Sequence, residues 1–178
     1  MSISIDSIVE DIHESYNTIG GINHISGHNL PSMESIIKII TDLERVADLA
    51  TNLGEYTLQA ERDLYPDVDI QGIGDAVIEM VEDAMMAYAE QDAEACFGID
   101  ERDDEIDTMC ERASSTVVRD LIETEIDESS SDIEVEGLMS EVSRLLLTIR
   151  DLERVGDHAV NIAARTLYMI ENSDELIY

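Results

Sequence analysis

Aromatic side chains are scarce in this 178-residue chain: they make up 4% of it, with no tryptophan and a single phenylalanine, Phe97. A core with so few rings must be aliphatic and methionine-rich, and the 44% hydrophobic content supplies it in a form suited to helix-on-helix packing. Only two prolines, Pro31 and Pro66, interrupt the chain, so long stretches are free to be helical. Asn-Gly and Asp-Gly hairpin turns are missing and strand signals are nearly absent, which argues against a sheet. The two cysteines, Cys96 and Cys110, fit neither a zinc spacing nor a disulfide framework and are expected to be buried, reduced thiols. Basic residues number ten, of which only Lys38 is a lysine, so no stripe exists to neutralise nucleic-acid phosphates and direct nucleic-acid binding is excluded. No run approaches the roughly 18 apolar residues of a spanning helix. The opening MSISIDSIVEDIHES has no positive n-region, so a secreted precursor is not expected and the chain is expected to be cytoplasmic. Nucleophile elbow, Walker loop, zincin and dinucleotide motifs are all missing, and the chain is expected not to be an enzyme.

Acid is what the sequence has in excess. Forty-two Asp and Glu against ten Lys and Arg leave a net charge of −32. Such a surface repels itself at low salt and is relieved as the screening length falls to about 3 Å at 1 M. Because the acid is spread along the whole chain, a halophilic, salt-rich cytoplasm explains it more economically than selection for one basic partner.

An internal repeat organises the chain. Residues 42–52 are DLERVADLATN and residues 151–161 are DLERVGDHAVN, identical at eight of eleven positions at an offset of 109. Around the second copy, Val142, Leu145, Ile149, Leu152, Val155, Ala159, Ile162 and Thr166 recur at spacings of three and four, the seam of a long bundle helix. Ile36, Ile39, Leu43, Val46, Ala50 and Leu53 repeat the pattern around the first copy. Two more helices are expected between the copies, from about 75 to 90 and from about 93 to 124, with a turn within 89–95 and Gly98 as a weak point. Gly137 and the stretch 127–132 (DESSSD) are expected to form the loop before the last helix. The chain is therefore all-α, with residues 71–178 a complete three-helix repeat and residues 1–70 a partial N-terminal one. The same offset sets Ser7–Ile12 against Thr116–Leu121 and Met1 against Cys110, so the first bundle is expected to be incomplete. The apolar faces thus left open point to a homodimer.

The repeated segment carries acids one helical turn apart, Glu44 with Asp48 and Glu153 with Asp157, which share a face. Such pairs make an oxygen-rich, anionic ledge suited to iron, manganese or magnesium. Asp103 and Asp107 repeat the spacing on the expected neighbouring helix. Four carboxylates at one level repel unless a cation or protons compensate them. Arg45 and Arg154, one residue round, are expected to pair with acids on a neighbouring helix. In so acidic a chain most i, i+4 acid pairs are merely solvated surface, but here both copies keep the same acids. His158 is expected at the surface or facing a partner rather than ligating. Glu10-x-x-His13 is one copy of a motif that di-iron bundles need twice. His24 and His28 belong to a loop, and the methionines Met80, Met85, Met86, Met109, Met139 and Met169 to adaptable core packing.

The segments DLERVGDHAVNIA (151–163), DLERVADLATNL (42–53) and DERDDEIDTM (100–109) together resemble the PhoU family, regulators attached to high-affinity phosphate uptake. That resemblance implies tandem three-helix bundles and a negative-regulatory adaptor of phosphate homeostasis. Its partners would be the ATPase of the phosphate ABC transporter and, in bacteria, a sensor kinase, with the membrane reached only through the transporter. It also implies metal cations on the acidic face, an iron cluster or alternatively zinc, manganese or magnesium. Carried over by position, it marks Glu153, Asp157, Asp103 and Asp107 as one site and Glu44 and Asp48 as the matching motif of the first repeat; Asp6 and Glu10, also four residues apart, are not expected to substitute for the partners that motif lacks. Two other readings stand beside it: a ferritin-like di-metal carboxylate enzyme, and a metal-free structural helical module.

Overall fold

A computed structural model describes residues 29–59, 68–123, 132–171 and 176. Two compact units divide the chain, Met1–Glu34 and Ser35–Tyr178, and the features below lie in the second. All regular structure among the described residues is helical: α1 (Asn29–Gln59), α2 (Ile70–Glu90), α3 (Ala93–Glu123) and α4 (Asp132–Glu171). The fold class is thus all-α, as the periodicity requires.

Helix α2 starts at Asp69, whose side chain accepts the Gly72 backbone N–H at 2.9 Å. It ends at Gln91, which adopts the left-handed conformation (φ 55°) so that the Asp92 N–H reaches back to the Ala87 carbonyl at 3.0 Å. Asp92 then caps α3, its Oδ1 accepting from the backbone N–H groups of Glu94 and Ala95 at 3.0 and 3.1 Å. Two residues thus reverse the chain where a turn was expected. Gly137, placed in the preceding loop by its sequence context, lies inside α4, which begins at Asp132; residues 127–131 fall outside the described residues. A lone glycine costs a helix only about 1 kcal/mol, and forty residues of heptad-like seam outweigh it.

Helices α2, α3 and α4 pack pairwise as an up-down-up bundle. Their core is aliphatic, including Met80, Ala84, Ile99, Ile106, Val117, Ile149, Ile162 and Leu167, with Cys96 and Cys110 buried as free thiols. Burial lifts both thiols, Cys96 to about 11 and Cys110 to about 12, which keeps them protonated and unreactive. Of the methionines assigned to the core, Met86 and Met139 instead stand exposed.

Helix α1 packs along α4 in the opposite direction. As contacts on α4 advance from Arg144 to Asp151 to His158, their partners on α1 recede from Gln59 to Tyr56 to Asp42. The buried line of α1 runs through Ser35, Ile39, Asp42 and Leu49. It is therefore turned by one residue from the expected seam, and Ala50 is exposed. The reason is electrostatic: Asp42 and Asp151, the first residues of the two motif copies, are both buried. The His158 ring meets Asp42 Oδ1 at 2.9 Å through Nδ1. Tyr56 donates to Asp151 Oδ2 at 3.1 Å, and Arg150 donates to Oδ1 from Nη2 at 2.8 Å. Burial and the Asp151 carboxylate together raise the Tyr56 hydroxyl above its ordinary pKa.

Candidate metal centre

Gly156 of α4 lies against the Asp103 and Ile106 side chains of α3. A Cβ built there would sit 3.2 Å from Asp103 Oδ1 and 3.8 Å from Ile106 Cγ2, so a side chain at this position would press on the acid. Around the crossing the spacing of four residues on each helix brings two acid pairs together, Asp103 and Asp107 from α3 with Glu153 and Asp157 from α4. Burial and the crowding of acids raise three of them above the ordinary carboxylate range. Burial, followed by Asp107 and then Asp157, pushes Asp103 up to about 7. Burial and Asp157 raise Asp107, and burial followed by Asp107 and Asp157 raises Glu153. Beside them lies an open groove of roughly 720 Å³ lined by Asp104, Asp107, Glu111 and Glu153, with Cys110 among its walls.

No arginine of the motif answers this charge. Arg45 approaches Asp42 at 3.9 Å and Arg154 approaches Asp151 at 3.8 Å, each on its own helix rather than a neighbouring one. The reason is that the acid three residues back on the same helix is already within reach. Arg102, also on α3, instead binds Glu79 and Asp83 of α2.

The donor set fits a hard cation. It consists of carboxylates alone, and Asp103 Oδ1 is buried without a hydrogen-bond partner. As the side chains stand, no group of three or more His, Cys, Asp and Glu among the described residues converges tightly enough to chelate an ion. Asp103, Asp107 and Glu153 each feel the charge of their acidic neighbours, and ligation would require the exposed Asp107, Glu153 and Asp157 side chains to leave their present positions.

The remaining expectations divide. Glu44 and Asp48 are exposed on α1 and are not among the main groups that raise Asp103, Asp107 and Glu153. Asp6, Glu10, His13, His24 and His28 lie outside the described residues. His158, expected at the surface, is 93% shielded because its ring is drawn between the helices to satisfy Asp42. Sequence reasoning missed Asp104 and Glu111 as groove residues, although Glu111 continues the run Asp103, Asp107 at the same spacing.

A helical bundle with a carboxylate-only face at a close helix crossing, and two related motif helices packed antiparallel, defines a class of duplicated acidic-face bundles. The model of the PhoU domain matches residues 70–166. The chain belongs to the PhoU family. It is similar to the phosphate-specific transport system accessory protein PhoU homolog of Pseudomonas putida, with 34% identity over 143 residues covering 79% of this chain and 52% of that protein. It is likewise similar to PhoU homolog 1 of Thermotoga maritima, with 30% identity over 169 residues covering 93% of this chain and 68% of that one. The Clostridium acetobutylicum homolog shares 24% over 175 residues, 94% of this chain and 75% of its own. The chain thus spans between about half and three quarters of these relatives' lengths. The crystal structure of PhoU from Pseudomonas aeruginosa superposes with a TM-score of 0.76 at 26% identity, covering 95% of this chain and 77% of that chain.

Proposed function

We propose that this chain is a regulatory adaptor of phosphate uptake with a metal-binding acidic face, rather than an enzyme. It restrains the phosphate response by contacting the ATPase of a phosphate ABC transporter from the cytoplasmic side, with a sensor protein as a second contact. Membership of the PhoU family and the names of its relatives, accessory proteins of phosphate-specific transport systems, support the transport role. Among the described residues no helix is long and apolar enough to cross a membrane, which suits a peripheral partner.

The observation that carries the metal reading is the orphaned, buried Asp103 Oδ1, raised in pKa by burial and by the acids around it, Asp107 and Asp157 foremost. Asp103, Asp107, Glu153 and Asp157 would hold a divalent or trivalent ion, iron first and manganese, magnesium or zinc as alternatives. When bound, it supplies positive charge that relieves the repulsion between α3 and α4. Gly156 leaves room for Asp103, whose inaccessible Oδ1 forms the floor, and the three exposed acids set the rim.

The test replaces Glu153 and Asp157 together. Glu153→Gln with Asp157→Asn is expected to abolish metal retention after purification while leaving helicity unchanged, since both side chains are exposed. In cells lacking the chain, phosphate uptake under replete conditions is expected to rise; the parent sequence restores restraint and the double variant does not. Metal retained by the double variant at parental stoichiometry overturns the site, and unaltered uptake in the deletion strain overturns the adaptor role.

A further inference from the structure

The acids of the centre share their groove with a sulfur. Cys110 lines its wall together with Asp107 and Glu153. It is a free thiol, almost inaccessible to bulk water. Helix spacing groups it with the acids: at 100° per residue, Asp103, Asp107 and Cys110 fall within about 60° of one another on α3. Two contacts fix their register against α4. The Cys110 thiol meets the Ile149 carbonyl at 3.9 Å, and a Cβ built on Gly156 would lie 3.2 Å from Asp103 Oδ1. The same seven residues separate these contacts on either helix. Glu153, four residues past Ile149, therefore stands between Cys110 and Asp103, roughly level with Asp107. After burial, the charges of Glu153, Asp107 and Asp103 are what push the thiol up to about 12.

Burial alone does not set Cys110 apart, because Cys96 is buried as deeply. The acids that bear on Cys96 are Asp92 and Glu171, however, and it is not among the groove's residues. Nothing strong holds the Cys110 sulfur where it is. Its contact with the Ile149 carbonyl is long and a thiol is a weak donor, so little is lost when the sulfur turns to another partner. Carboxylates alone suit hard ions such as magnesium and manganese, whereas a thiolate beside them favours borderline ions such as iron(II), cobalt(II) and zinc. The thiol of the metal-free chain keeps its proton. A coordinated thiol is deprotonated outright, and its proton passes to solvent as the sulfur takes the ion.

We propose that Cys110 is a sulfur ligand of the metal centre, joining Asp107 and Glu153 and making the centre selective for borderline divalent ions over magnesium and manganese. This deepens the metal reading of the four acids and rests on it; ion retention and sulfur ligation are scored separately, so the sulfur can fail while the acid site stands.

The experiment loads the chelator-treated full chain with cobalt(II), a spectroscopic stand-in for iron(II) and zinc. A thiolate-to-cobalt charge-transfer band in the near ultraviolet is expected. Cys110→Ser is expected to remove the band and Cys96→Ser to keep it. Competition dialysis of cobalt(II) against manganese(II) measures the selectivity. Cys110→Ser is expected to cut the preference for cobalt by roughly tenfold or more while retaining manganese as the parent does. Circular dichroism checks each variant, and Cys110→Ala carries the same test if the serine variant does not fold. Because the chain has two cysteines, a band that persists in Cys96→Ser identifies Cys110 by itself. Cobalt bound without the band, a band that survives Cys110→Ser, or one lost in Cys96→Ser overturns the sulfur ligand. No retention of cobalt or manganese, or retention that Glu153→Gln with Asp157→Asn leaves unchanged, overturns the acid site and the sulfur ligand with it.

Discussion

Asp103 concentrates the chemistry of the centre in one side chain. In the unfolded chain its carboxyl ionises near 4, as an ordinary aspartate does; in the folded chain it holds its proton to about 7. Between those values the folded state binds a proton that the unfolded state has lost. Stability of the metal-free protein is therefore expected to fall as pH rises from about 4 to about 7, with the full penalty present above that. Thermal unfolding of chelator-treated protein at pH 5 and pH 8 measures it, and Asp103→Asn should narrow the gap between the two melting temperatures. An unchanged gap in that variant would place the effect elsewhere. Added divalent cation is expected to act in the other direction, stabilising more at pH 8 than at pH 5, because ligation needs the carboxylates ionised.

At the scale of the element, the α2–α3 hairpin rests on very few residues. Asp92 satisfies two backbone donors at the start of α3, so Asp92→Ala is expected to cost about 1 kcal/mol in urea unfolding. Six residues on, Gly98 sits in helical conformation with open space where a Cβ would point. Gly98→Ala is expected to stabilise by up to about 1 kcal/mol, chiefly by narrowing the unfolded ensemble. Opposite signs from two neighbouring alanines would separate capping from propensity; the same sign from both would contradict the account. The hairpin was legible beforehand as a turn within 89–95, because acid and small residues break the apolar rhythm there. Its left-handed residue was not, since glutamine at position 91 carries no signal for that conformation.

Across the whole molecule, the two motif copies recognise each other through buried polar pairs. Asp42 is nearly inaccessible and its close partner is His158, from the other copy. His158→Leu, which installs the residue found at the equivalent Leu49, leaves Asp42 without that partner and is expected to cost about 1–3 kcal/mol. Asp42→Leu alone is expected to destabilise too, and the double variant to cost less than the two singles summed. Strict additivity in that cycle would mean that the pair does not hold the copies in register. Among the described residues, the motif face of α4 is closed by α2 and α3, whereas Ile37, Ile40 and Leu58 on α1 are exposed.

Periodicity, composition and the repeat determined by themselves that the chain is all-α, roughly where α2 and α3 run, most of the apolar residues of α4 that form the core, and that acid pairs recur one turn apart. These follow from local rules: 3.6 residues per turn, the cost of burying charge, and the improbability of a chance repeat. Only the tertiary structure decided which acid pairs meet. Asp103 and Asp107 face Glu153 and Asp157 because Gly156 lets two helices approach, whereas Glu44 and Asp48, with the same spacing, face outward. It also turned Asp42, Asp151 and His158 inward, against their composition. A buried carboxylate becomes tolerable only when a distant partner reaches it, and which residue arrives is settled by packing over more than a hundred residues of chain.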